Sequence, residues 1–170
     1  MFHFFVPAIP LTIAAALFFK RNSLAYSFPI LLILIDVFLI QPSLVYFFTG
    51  AGLILTVFLT RRLKGFWGLS FWALAAYTSM AIFIHELVSN FGVWILAGCT
   101  AESSPLYPYT LAGLLQCYRA ALPYSAIQFL RDIPLAILLI KGLSLLAKLK
   151  ADVRLWRLKN VAQTRNESPR

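Results

Sequence analysis

Apolar runs about as long as a bilayer is thick constrain this chain more than any other feature. A helix rises about 1.5 Å per residue, so roughly 20 predominantly apolar residues match a hydrocarbon core about 30 Å thick. Runs of this kind occupy residues 4–19, 25–41, 44–60, 66–88 and 123–147. With 61% apolar residues, 12% charged residues and a mean hydropathy of +0.81, little sequence is left for a separate water-soluble domain. The expected fold class is therefore all-α: a polytopic transmembrane helical bundle of about five spans. It takes up residues 1–147, and a basic tail follows at 148–170. The opening MFHFFVPAIPLTIAAALFFKR carries its basic residues after the apolar run. That is the reverse of a secretory signal, so this stretch also reads as a span.

The basic residues set the orientation. Lys20 and Arg21 follow the first run, Arg61, Arg62 and Lys64 follow the third, and seven of the 15 lie between Lys148 and Arg170. The short connection QPS has none, and residues 89–122 contain only Arg119. The positive-inside rule then puts the three clusters and the C-terminus in the cytoplasm, with the N-terminus and residues 89–122 outside. The net charge of +9 belongs to loop ends and tail, so the expected partner is the lipid bilayer and not nucleic acid.

Residues 89–122 divide in two. FGVWILAG is apolar but too short to span, which suits a segment dipping into the bilayer or packed on the bundle. After the turn-rich CTAESSPLYPY, apolar residues at Leu111, Leu114, Leu115, Tyr118 and Leu122 outline an amphipathic helix at the outer face, with Thr110 as its N-cap. An interfacial anchor accounts for the same residues. The tail begins as a basic amphipathic extension of the last helix around Val153, Leu155 and Trp156, suited to anionic headgroups, and then turns polar.

Ionisable groups inside spans are costly, which makes each a functional candidate. Asp36, His85, Glu86, Arg131 and Asp132 all fall in the outer half of the predicted bundle, whereas Lys141 lies on the opposite face from Asp132 and snorkels toward the cytoplasm. Ser125, Gln128 and Asp132 follow helical spacing, as do Thr78, His85 and Ser89, and beside them Ser79, Glu86 and Asn90. Such stripes belong against the bundle interior or a cavity. They suit substrate contact, and they equally suit interhelical ion pairs that hold a bundle together.

Catalysis has little support. HELVS begins like a zinc-protease helix but has Ser89 where the second His is needed, and two cysteines without paired spacing make no zinc site. No metal or other cofactor is expected. A Cys117–His85 thiol and base pair lacks an orienting third group, and a Cys99–Cys117 disulfide is sterically open on the outer side.

NFGVWILAG, YPYTLAGLLQCYRAALPY and an Asp nine residues after Pro123 together resemble a family of uncharacterised bacterial integral membrane proteins, a domain of unknown function. That family is similar to the substrate-binding S components of energy-coupling-factor transporters. The positions that carry the resemblance are Asn90 to Trp94, Tyr107 with Pro108, Gly113, Leu114, Cys117, Tyr118, Ala121 to Pro123 and Asp132, with Asp36 at an upstream acidic position. Arg131 and Ile127 stand where the family has a small residue and an Asn.

The resemblance implies a six-helix bundle in the bacterial inner membrane, with a further helix ahead of the segment at His3. It also implies a small-molecule substrate captured from outside, and as partners a transmembrane coupling protein and ATPase subunits that hydrolyse the ATP. On this reading Trp94, Tyr107, Tyr109 and Tyr118 stack a flat heterocycle, while Asp36, His85, Glu86, Asn90, Gln128, Arg131 and Asp132 orient it. Two other classes remain open: an accessory or structural subunit, and a small intramembrane enzyme using Cys117 or His85.

Overall fold

The computed structural model describes residues 7–39, 43–96 and 107–166. Among these the chain is all-α, with five helices and no strand: α1 (Ala8–Phe18), α2 (Asn22–Leu39), α3 (Val45–Trp67), α4 (Phe71–Leu96) and α5 (Leu111–Asn166). The chain divides into two compact units, residues 1–137 and 138–170. The second is the remainder of α5, where Ser144 Oγ donates back to the Ile140 carbonyl.

In the first unit α1 and α3 lie at the centre, each packed against α2 and α4 or against one another. α1 is buried nearly all round, through Ile9, Thr12, Ile13 and the run Ala14–Leu17. Its small residues admit close neighbours, and Ala16, Ala25 and Val57 form a cluster against which Tyr26 packs. α1 stops at Phe19, whose backbone is extended and whose N–H donates to the Ala15 carbonyl at 3.1 Å. α3 runs past its basic residues to Trp67 and ends at Gly68, whose φ of 65° suits glycine. Ser70 then caps α4 by accepting from the Ala73 N–H at 3.1 Å. The Tyr77 hydroxyl donates to the Leu63 carbonyl and ties α4 back to α3. The two helices approach closely at Gly92, where a Cβ would run into the Phe48 ring.

The region between the last two predicted spans is organised differently from the sequence expectation. FGVWIL is the final turns of α4 and not a separate dipping segment. The helix that starts after Thr110 does not end at Leu122 as a distinct outer-face helix; it continues through Pro123 and Pro134. Proline removes one N–H from the ladder, which frees the carbonyls of Arg119 and Leu130. Both residues are exposed, so neither break strands a buried acceptor. Thr110 does cap this helix, with Gly113 N–H donating to its Oγ1 at 3.1 Å.

One helix among the described residues, α4, is long and apolar enough to cross a membrane. The segments Ala8–Phe18 and Asn22–Ile35 are apolar but shorter. α3 carries Arg61, Arg62 and Lys64 in its last turns, and the apolar run of α5 is interrupted by Arg131, Asp132 and Lys141.

Candidate functional site

A cavity of about 340 Å³ opens in the first unit, and helical spacing explains its walls. Val45, Thr49 and Leu53 recur at four-residue steps along one face of α3. Glu86, Ser89 and Val93 share one face of α4 at three- and four-residue steps with His85 beside them, and so do Tyr124, Gln128 and Arg131 on α5 with Ile127. Ala8 and Ile9 of α1 and Leu32 of α2 complete an apolar floor. Apart from the Thr49 hydroxyl, polar side chains therefore come from α4 and α5, and shape from α1 to α3.

The polar groups are held in place. The Asn90 amide donates to Glu86 Oε2 at 2.8 Å and to the Glu86 carbonyl at 2.9 Å, which fixes the carboxylate on the helix surface. Glu86 Oε1 lies 3.9 Å from His85 Nδ1, and both side chains are about one-fifth exposed, at 21% and 17%. A protonated His85 makes this an ion pair, whereas a neutral ring leaves Glu86 as an oriented anion at the cavity wall. Arg131 Nε donates to Asp132 Oδ1 at 2.6 Å, so two neighbouring residues largely neutralise each other. Asp132 is fully buried behind the wall, and its Oδ2 has no hydrogen-bond partner among the described residues. The amide of Gln128 and the hydroxyl of Ser89 make no hydrogen bond among the described residues, which leaves both available to a ligand inside the cavity.

Of the residues singled out from sequence, His85, Glu86, Gln128 and Arg131 meet at this cavity. Asn90 and Asp132 stand directly behind them as partners of Glu86 and Arg131. The aromatic residues gather elsewhere. The Trp94 indole N–H donates to the Pro108 carbonyl at 3.1 Å, the Tyr109 hydroxyl to Ile95 at 3.1 Å and the Tyr118 hydroxyl to Leu87 at 2.6 Å. Phe48, Phe91, Trp94 and Tyr109 form a ladder of ring contacts, ending in a T-shaped Trp94–Tyr109 pair at 5.9 Å. These rings clamp the turn before α5 onto the end of α4. Tyr107 is half-buried and joins neither the ladder nor the cavity. The Asp36 side chain lies outside the described residues, as does Cys99.

Cys117 is a free, buried thiol that donates to the Asn90 carbonyl at 3.4 Å. Burial pushes its pKa up, so the group stays a neutral thiol at physiological pH. No group of three or more His, Cys, Asp or Glu among the described residues is placed to hold a metal ion.

Thr49 and Tyr124 line the cavity without having been singled out from sequence. Thr49 lies one turn before Leu53 in α3, and Tyr124 four residues before Gln128. Helical spacing back from Gln128 is the signal that could have found Tyr124; the sequence stripe ran through Ser125 instead.

Compared with known proteins, residues 1–155 match the model of a family of unknown function, DUF6580. No curated protein and no solved structure matches the chain.

Proposed function

The chain belongs to DUF6580, a family of unknown function, and we propose that it is a polytopic membrane protein whose cavity captures a small molecule, in the manner of a transporter S component. The observation that carries this reading is the cavity itself. It has apolar walls drawn from five helices, an oriented Glu86, and the uncommitted amide of Gln128 and hydroxyl of Ser89. Concave, mostly apolar sites with a few placed polar groups are what small ligands require.

The surface supports the membrane part of the proposal. Phe38, Phe47 and Trp72 are 84%, 82% and 79% exposed, and only 17% of the apolar stretch of α4 is buried. A core helix of a water-soluble protein is mostly buried, whereas lipid solvates such side chains without cost. In this reading the aromatic clamp around Trp94 roofs the outer end of the bundle. Uptake is driven by a coupling protein and paired ATPases that hydrolyse the ATP.

A second reading, an accessory subunit with no ligand of its own, is favoured by one observation: Arg131 at the cavity wall is already matched by the fully buried carboxylate of its own neighbour Asp132. The two readings separate when protein purified from its native membrane is denatured and the released small molecules are identified by mass spectrometry. The ligand reading expects one compound in stoichiometric amount from the wild type and little from Gln128→Ala. Equal recovery from both, or none from either, rejects it.

A further inference from the structure

Arg61 and Lys64 close the C-terminal end of α1. Arg61 Nη1 donates to the Ala16 and Phe19 carbonyls at 3.1 and 2.8 Å and Nη2 to Lys20 at 3.3 Å, while Lys64 Nζ reaches Leu17 at 2.5 Å. Next to this knot is a second cavity of about 260 Å³, lined by Asn22, Tyr26, Phe58, Arg61 and Arg62. It is well above the roughly 30 Å³ share of one water.

The donors around it outnumber the acceptors. Arg62 stacks over the Phe58 ring at 5.3 Å and makes no hydrogen bond or ion pair among the described residues. The Tyr26 hydroxyl and the Asn22 amide likewise make none. Arg61 gives three of its N–H groups to carbonyls, which leaves two of the five a guanidinium carries. No carboxylate lines the cavity. Asn22 is also the first residue of α2, so first-turn N–H groups without intrahelical acceptors add to the positive potential.

A guanidinium oriented by an aromatic face, with no acidic partner, is pre-arranged for the oxygens of a phosphate. We propose that this cavity binds a phosphate group, with Arg62 and Arg61 supplying charge and Tyr26 and Asn22 supplying neutral hydrogen bonds. Two sources share that chemistry: the headgroup of an anionic lipid, and free phosphate or a phosphorylated small molecule. The site is separate from the cavity between α4 and α5 and does not depend on the ligand proposed for it.

The test uses the full chain purified in mild detergent. Binding is titrated with phosphatidylglycerol against phosphatidylcholine in mixed micelles, and separately with inorganic phosphate against chloride at constant ionic strength. The proposal expects saturable binding of a phosphate probe that Arg62→Gln weakens about ten-fold, the loss of one charge-assisted hydrogen bond, and that Tyr26→Phe weakens about three-fold. Preference for phosphatidylglycerol without phosphate saturation identifies a lipid headgroup, and saturation by inorganic phosphate identifies a soluble source. Absence of both, or unchanged binding in folded Arg62→Gln and Tyr26→Phe, overturns the proposal.

Discussion

Replacing Gly92 by Ala probes how closely α3 and α4 approach, and the structure gives the magnitude. A Cβ at Gly92 would lie 2.5 Å from Phe48 Cβ and 2.6 Å from Phe48 Cδ2, closer still to Cγ. Carbon atoms in contact settle at about 3.5–4.0 Å, so the root of the Phe48 side chain has to retreat by about 1 Å. It has little freedom to do so, because the ring is also held edge-on against Phe91 at 6.3 Å. Overpacking of this kind costs about 1–3 kcal/mol. Against that, Ala is favoured over Gly in a helix interior by about 1 kcal/mol. The net expectation is a loss of up to about 2 kcal/mol for Gly92→Ala. In a Phe48→Gly background, which removes the Cβ at 2.5 Å as well as the ring, the obstacle is gone and only the propensity gain remains, so the same substitution stabilises by about 0.5–1 kcal/mol. Equilibrium unfolding of the four variants in detergent measures both numbers. A Gly92→Ala penalty of the same sign and size in both backgrounds refutes the packing argument.

Three further outcomes follow from the contacts. Arg131→Met leaves the buried Asp132 carboxylate without its partner and lowers stability by about 3 kcal/mol, whereas Arg131→Met with Asp132→Leu recovers most of that loss in the same unfolding assay. Arg61→Met removes three hydrogen bonds to the end of α1 and costs about 2 kcal/mol, with Arg61→Lys intermediate, as read by the unfolding midpoint. In a Cys99→Ser background Cys117 alkylates at least about 100-fold more slowly in the folded protein than after unfolding, because reaction requires thiolate and burial raises the thiol pKa. Rapid labelling of the folded protein at neutral pH contradicts the buried placement.

Much of the helical content was legible from the apolar runs, and Thr110 marked the start of α5. The division of α3 from α4 was not: the apolar runs break at 60 and resume at 66, whereas α3 continues through Arg61, Arg62 and Lys64 to Trp67 and α4 begins only after Gly68 and Ser70. The region around Gly92 was harder. FGVWILAG reads as an apolar piece too short to span, but FGVWIL ends α4, and its Gly92 is the point where Phe48 rests on that helix. Pro123 reads as a boundary for a comparable reason. A proline signals a missing N–H, and the sequence does not reveal that the freed carbonyl belongs to an exposed residue and is tolerated.

At the cavity, the rule that charges inside apolar runs face something polar pointed to His85, Glu86 and Arg131, and spacing added Gln128. The apolar contributions of Ile9, Leu32 and Leu53 carry no such mark, because a cavity-lining leucine and a core leucine look alike in sequence. Trp94, Tyr109 and Tyr118 illustrate the same ambiguity for polar tips: each has its donor on a backbone carbonyl, a partner visible only in three dimensions.

The most direct test of the transport reading is affinity purification of the tagged protein from its native membrane in mild detergent, with mass spectrometry of the proteins that accompany it. The account predicts a transmembrane coupling protein and paired ATPases at near-stoichiometric levels. Intact protein recovered at good yield with neither of them contradicts it.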